Sequence, residues 1–194
     1  TITAGELNTH ALGQQLTVAG TITVNSSSNT ANLSINDSTV SCAKLIVESA
    51  DTITAAHSSN ALTVTGTGIG NARSIDFTGV ISGTLDIITT HSGTREDDLS
   101  ASSGVVNHLT VNHASAVMRM NASYTLGNLT ITAGTFSTAD AGGNSKALTV
   151  TGYSHVGDGS AAADTSTLTL NASTCSFGTG KTDAEALWIK RGGT

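Results

Sequence analysis

Five short words led by leucine fall at near-equal intervals in the second half of the chain: LTVN from Leu109, LTITAG from Leu129, LTVTG from Leu148, LTLN from Leu168 and LWIK from Leu187. Their leading leucines are 20, 19, 20 and 19 residues apart. A fixed period of this length marks a repeat architecture, in which each unit buries its apolar face only against its neighbours. A second short cluster follows in each interval, at Val117 to Met120, Thr135 to Ser137, Tyr153 to Val156 and Cys175 to Phe177. One period therefore holds two short strands and two connections. The first half repeats the same words less regularly, among them LTVAG from Leu16, LSIN from Leu33, LIVE from Leu45, LTVTG from Leu62 and LDII from Leu85. About nine or ten turns are expected in all.

Apolar residues alternate within each word, as in Leu109/Val111, Leu129/Ile131, Leu148/Val150 and Leu168/Leu170, which is the two-residue period of a strand with one buried face. Glycine (Gly20, Gly66, Gly134, Gly152) or asparagine (Asn25, Asn36, Asn112, Asn121, Asn171) follows the words. Both accept a left-handed backbone readily, which predicts a sharp corner after each strand. An antiparallel sandwich is the competing all-β fold, but its two-residue hairpins favour Asn-Gly or Asp-Gly. Asn-Gly never occurs here and Asp-Gly occurs once, at Asp158–Gly159. The sequence thus predicts an all-β parallel β-solenoid (β-helix), right-handed or left-handed. It would have about 20 residues per turn, short strands and Gly/Asn corners. Residues 1–194 form a single domain in this reading, with irregular turns over 1–88, a protruding loop over 89–107 and regular turns over 108–190.

Composition supports a folded, polar-coated structure. Thr and Ser occupy 57 of 194 positions, proline is absent, charged residues are 11% and mean hydropathy is +0.07. The net charge of −6, with eight scattered Lys and Arg, offers no basic stripe for nucleic acid. Apolar runs of three or four residues exclude membrane insertion by a helix. The chain opens at Thr1 rather than Met, which fits processing of, or excision from, a longer polypeptide. Cys42 and Cys175 are 133 positions apart. Stacked turns place them on the order of 30 Å apart, beyond the roughly 7 Å limit for a disulfide, so both are expected to be free.

The LTVTG and NLTITAG words, the Asn or Gly corners and the proline-free Ser/Thr/Ala/Gly background resemble the parallel solenoid segments of phage virion proteins, in tail fibres, tailspikes and capsid decorations. They also resemble the repeats of secreted haemagglutinin-type adhesins and autotransporters. The first resemblance implies a non-enzymatic structural component of a virion; the second implies an extracellular or bacterial cell-surface adhesin or filament subunit.

Arg95-Glu96-Asp97-Asp98 is the densest charge in the chain and lies in the long interval between Leu85–Ile88 and Leu109. Long loops that leave a regular coil are usually functional or disordered, so Arg95, Glu96, Asp97 and Asp98 are the candidate interaction loop. A solenoid leaves unpaired strand edges at its ends. Neither Thr1, Ile2 and Thr3 nor Leu187, Trp188 and Ile189 resembles a polar cap. These are candidate end contacts, for self-association or for other structural subunits; a surface glycan or receptor is a further candidate partner.

No catalytic constellation is evident. A glycosidase needs two carboxylates about 5–9.5 Å apart; Asp97 and Asp98 would point apart on a strand, and Asp164 lies in a different repeat from Asp183 and Glu185, where stacking is possible but nothing requires it. The six histidines lack metal-ligand spacing, so no metal or cofactor is predicted. Six Asn-x-Ser/Thr triplets occur among 13 asparagines, and these asparagines read as corners able to form ladders. Thr-x-Thr pairs suggest an ice-binding plane, but Asp86/Ile88 and Trp188/Lys190 would interrupt the rank.

Overall fold

The computed structural model describes residues 1–9, 13–28, 30–57, 60–70, 72–158, 165–179 and 186–189. The described residues form β1 (Gly5–Asn8), β2 (Leu16–Val24), β3 (Ala31–Ile35), β4 (Thr39–Val47), β5 (Thr52–Ala55), β6 (Ala61–Val64), β7 (Ile75–Phe77), β8 (Val80–Gly83) and β9 (Leu85–Thr89). They continue with β10 (Gly93–Asp97), β11 (Val106–Met120), β12 (Tyr124–Ser137), β13 (Leu148–Val150), β14 (Ser154–Val156), β15 (Thr167–Thr169), β16 (Cys175–Phe177) and β17 (Leu187–Ile189). All pairings between these strands are parallel. The protein is a parallel β-solenoid.

Register shows how the coil is built. Val18, Cys42, Val64, Thr89, Val111, Ile131, Val156 and Ile189 pair in succession up one face. Leu16, Val40, Leu62, Ile87, Leu109, Leu129, Ser154 and Leu187 form the column beside it. Val18 and Ile189 are seven steps and 171 residues apart, about 24 residues per turn. Away from the two ends both columns are buried. Between them points an outward rank of Thr17, Ser41, Thr63, Ile88, Thr110, Thr130, His155 and Trp188. The alternation in each word thus decides which side chain enters the core, where a buried Val, Leu or Ile contributes about 1.5–3 kcal/mol.

The turn is longer, and the turns fewer, than the leucine spacing predicts. Leu109 and Leu129 do stack. Leu148, however, lies on Tyr124, Leu168 on Phe136 and Leu187 on Ser154. Similar words occupy different stations around the coil, because parallel pairing requires only an apolar residue above another. Strands are also not uniformly short: β11 spans 15 residues and β12 spans 14, running through a corner with a bulge between Val111 and Val117.

Of the predicted left-handed corners, Gly66, Gly134 and Asn171 adopt positive φ, at 63°, 91° and 49°. Gly20, Gly152, Asn25, Asn36, Asn112 and Asn121 do not. Gly152 is required for space instead, since a Cβ there would strike the Asn128 side chain. Asparagines do link turns: Asn36 Nδ2 donates to Asn8 Oδ1 at 2.7 Å, and Asn107 Nδ2 donates to Asp86 Oδ1 at 2.7 Å. Threonine closes other corners. The hydroxyls of Thr65, Thr132 and Thr151 donate to the carbonyls of Cys42, Val111 and Leu126 on adjacent turns, at 3.3, 3.2 and 3.3 Å. The second threonine of these Thr-x-Thr pairs is thereby engaged in the ladder, and Ile88 breaks the outward rank that an ice plane would need.

Candidate functional site

Residues 89–107 do not protrude. Gly93–Asp97 is strand β10, paired with Ala116–Met120 of β11. Arg95 and Asp97 face inward and are buried, with Asp98 also closed off, while Glu96 is partly exposed. The physical reason is that backbone and side-chain groups of neighbouring turns take up most of the hydrogen-bonding capacity of the four charges in place of bulk water.

Asp97 Oδ1 accepts from Ser74 N, Ser74 Oγ and Ile75 N at 2.7, 2.8 and 2.8 Å, joining β10 to the start of β7. Arg95 donates to the carbonyls of Ala72, Gly66 and Ser92. Glu96 Oε2 accepts from Ala141 N at 2.9 Å. Asp98 accepts from Ser100 and, through Oδ2, from Asn121 Nδ2 at 3.1 Å, with Arg73 Nη1 3.7 Å away. The buried Tyr124 hydroxyl donates to the Asp97 carbonyl. The segment is a polar staple through three levels of the coil. Arg95 and Asp97 do not form a protruding contact loop: Asp97 is fully buried, and Arg95, 5% exposed, borders only a cleft.

Burial dominates its electrostatics. It raises the Asp97 carboxyl above the ordinary range, against the stabilising donors at Ile75 and Ser74 and the positive field of Arg95. It also raises the Tyr124 phenol well above 10, reinforced by the Asp97 and Asp98 charges. The His91 imidazole, buried beside them, is depressed to about 4 by burial and by Arg95.

The two ends differ. At the start, Ile2 bridges Val24 in parallel; its N–H donates to Thr23 O at 2.7 Å, and Thr1 and Thr3 are exposed. This covers one half of β2, while Leu16 and Val18 in the other half remain partly exposed. At the far end β17 pairs with β14 alone among the described strands. Leu187, Trp188 and Ile189 are 38%, 48% and 54% exposed. Leu187 and Ile189 stand in the core columns, so their exposure reflects an uncovered level rather than an outward orientation.

Other sequence candidates separate. Tyr153, His155 and Trp188 are outward and form one strip with His108: ring centroids lie 5.5 Å apart for His108–Tyr153, 4.6 Å for the stacked Tyr153–His155 and 5.5 Å for His155–Trp188. Phe77, Phe136 and Tyr124 are in the core. Asp164, Asp183, Glu185 and His10 lie outside the described residues. No group of three or more His, Cys, Asp or Glu among the described residues is placed to hold a metal ion. Cys42 and Cys175 are free.

No family model, curated protein or solved structure matches the chain. Geometry is therefore the guide to function. The staple residues outside the charged run, Ser74, His91 and Tyr124, were not singled out from the sequence as part of a common site. One signal is present: Arg95 and Asp97 stand four and two positions before the apolar Leu99, which is buried. Extending the two-residue period backward from Leu99 places Arg95 and Asp97 inside.

Proposed function

We propose that the protein is a non-enzymatic structural component of a virion, of the fibre, spike or decoration kind, acting as a rigid assembly or attachment element. The observation that carries the mechanical part is the pair of core columns continuing without interruption from β2 to β17 and ending on the uncovered Leu187 and Ile189. Parallel ladders hold each level to the next, and threonine and asparagine side chains lock the corners. An apolar, strand-shaped edge accepts another strand by backbone pairing. A continuing chain or a further structural subunit at that edge would continue both columns. The virion setting draws on the resemblance of the repeat words to phage solenoids.

Immunogold microscopy with antibodies against the folded chain, on purified particles and on cells from the producing culture, tests this reading. Gold on particles is expected. Gold confined to the cell surface would replace it with the adhesin reading, and absence from both would overturn it. For the edge, Ile189→Lys is expected to abolish association detected by light scattering while leaving circular dichroism unchanged.

A further inference from the structure

Corner lengths differ sharply between successive turns. Ten residues separate β6 from β7, whereas only Thr90, His91 and Ser92 separate β9 from β10. One level further, β11 passes the same corner with a bulge that carries His113. Between the long corner, the short one and the bulge lies a cleft of about 540 Å³. It is lined by Thr65, Thr67, Thr90 and Ser92, by the basic residues Arg95 and His113 and by glycines of both corners; among the described residues no carboxylate lines it.

Arg95 is only 5% exposed. Its guanidinium is held by three neutral carbonyls at 3.3, 3.3 and 3.4 Å, and its Nε has no acceptor. None of the ion pairs among the described residues includes it. Asp97 acts on Arg95 through its field, but Oδ1 of that carboxylate is committed to Ser74 and Ile75. A guanidinium removed from water and held by long neutral bonds gains strongly from an oxyanion partner.

The backbone of the long corner points the same way. Gly66, Gly68 and Gly70 have φ of 63°, 73° and 60°, while Thr67 and Ile69 between them lie outside the left-handed region. The Gly66 N–H is taken by the Ala43 carbonyl and the Thr67 N–H by the Thr65 hydroxyl, which leaves the N–H groups of Gly68, Ile69 and Gly70 without a partner among the described residues, in the kind of turn that can form an anion nest. A Cβ on Gly68 or Gly70 would meet nothing within 4 Å; glycine is needed there for its conformation.

We propose that this cleft binds the oxyanion group of a ligand, a carboxylate, sulfate or phosphate, seated against Arg95 and the Gly66–Gly70 loop and flanked by the Thr67 hydroxyl and His113. The cleft is larger than a single oxyanion and has room for the rest of a larger molecule. This site is independent of the rod reading and would stand if the protein were found in another setting.

The test is a titration of the ¹⁵N-labelled chain with sulfate, phosphate, acetate and glucuronate, with chloride at matched ionic strength as control. Saturable shifts confined to the amides of Gly68, Ile69, Gly70, Ser92 and Gly93 and to the Arg95 Nε–H are expected for at least one oxyanion and not for chloride. A response to sulfate and phosphate identifies a tetrahedral group; a response to acetate and glucuronate identifies a carboxylate. Thr67→Val and His113→Ala should each weaken binding, by up to about tenfold, and Arg95→Gln should abolish it. If Arg95→Gln does not fold, the two rim variants decide. Absence of saturable shifts up to about 100 mM, shifts spread over the surface, or unchanged affinity in both rim variants overturns the proposal.

Discussion

The imidazole Nε2 of His91 lies 3.7 Å from Oδ2 of Asp97, with both side chains closed off from solvent. Neither atom has a hydrogen-bond partner. The fold thus holds a neutral imidazole, depressed to about 4 by burial, beside a carboxyl that burial raises.

This pair makes stability depend on pH. The unfolded chain protonates His91 near 6.5, and the folded chain only near 4. The contribution of His91 is therefore intact above about pH 6.5 and declines as the pH falls toward 4, by ~3 kcal/mol at the lower end. Asp97 acts in the opposite sense: its raised folded value makes the folded state hold its proton more tightly than the unfolded chain does, which blunts the decline. Urea midpoints measured from pH 6.5 to 4.5 are expected to fall for the native chain and to fall less for His91→Gln. Equal decline in both would place the acid sensitivity elsewhere.

Thiol reactivity should distinguish the two cysteines. Burial pushes the Cys42 thiol up to about 12, while Cys175 is raised but only partly buried. With iodoacetamide at pH 8, mass spectrometry is expected to show slow labelling of Cys175 and none of Cys42 until denaturant is added. Prompt modification of Cys42 in the folded protein would contradict its place in the inner column.

The corner threonines should contribute more than those at mid-strand. Thr65→Val, Thr132→Val and Thr151→Val each remove a hydroxyl that donates to the adjacent turn and should lower stability by about 1 kcal/mol. Thr110→Val alters an outward rank position and should be neutral or slightly stabilising. Chemical denaturation of the four variants measures the difference; equal effects would refute the locking role of the hydroxyls.

Two glycines give a further contrast. Gly83 has φ of 96°, and a Cβ there would strike the Ala55 carbonyl; Gly20 lies outside the left-handed region with open space where its Cβ would be. Gly83→Ala should lower stability by several kcal/mol or leave the chain insoluble, whereas Gly20→Ala should raise the thermal midpoint slightly, with a gain of about 0.4–1 kcal/mol. Comparable melting of the two variants would mean that the β5–β8 packing is not as close as described.

Inside and outside were legible from the words, because a strand sends alternate residues to opposite faces whatever lies above it. Which word stacks on which was not. LTVTG from Leu62 lies under Ile87, whereas the same five letters from Leu148 lie on Tyr124. Nothing in a repeated apolar word records its station around the coil, and the near-constant leucine spacing mixed stations. Arg95 and Asp97 were misplaced for another reason: a charge run normally stays in water, and the groups that satisfy it here come from Gly66, Ala72, Ser74 and Ile75, more than twenty residues away.

The unequal corners have a consequence for how such a chain tolerates change in length. The residues between β6 and β7 leave and rejoin the coil without disturbing the pairing of Val64 with Thr89 or of Phe77 with Val47. Insertions and deletions at these elbows therefore vary the decoration while the spacing of the floors is conserved, so a lineage of such proteins could diversify its surface without redesigning its frame.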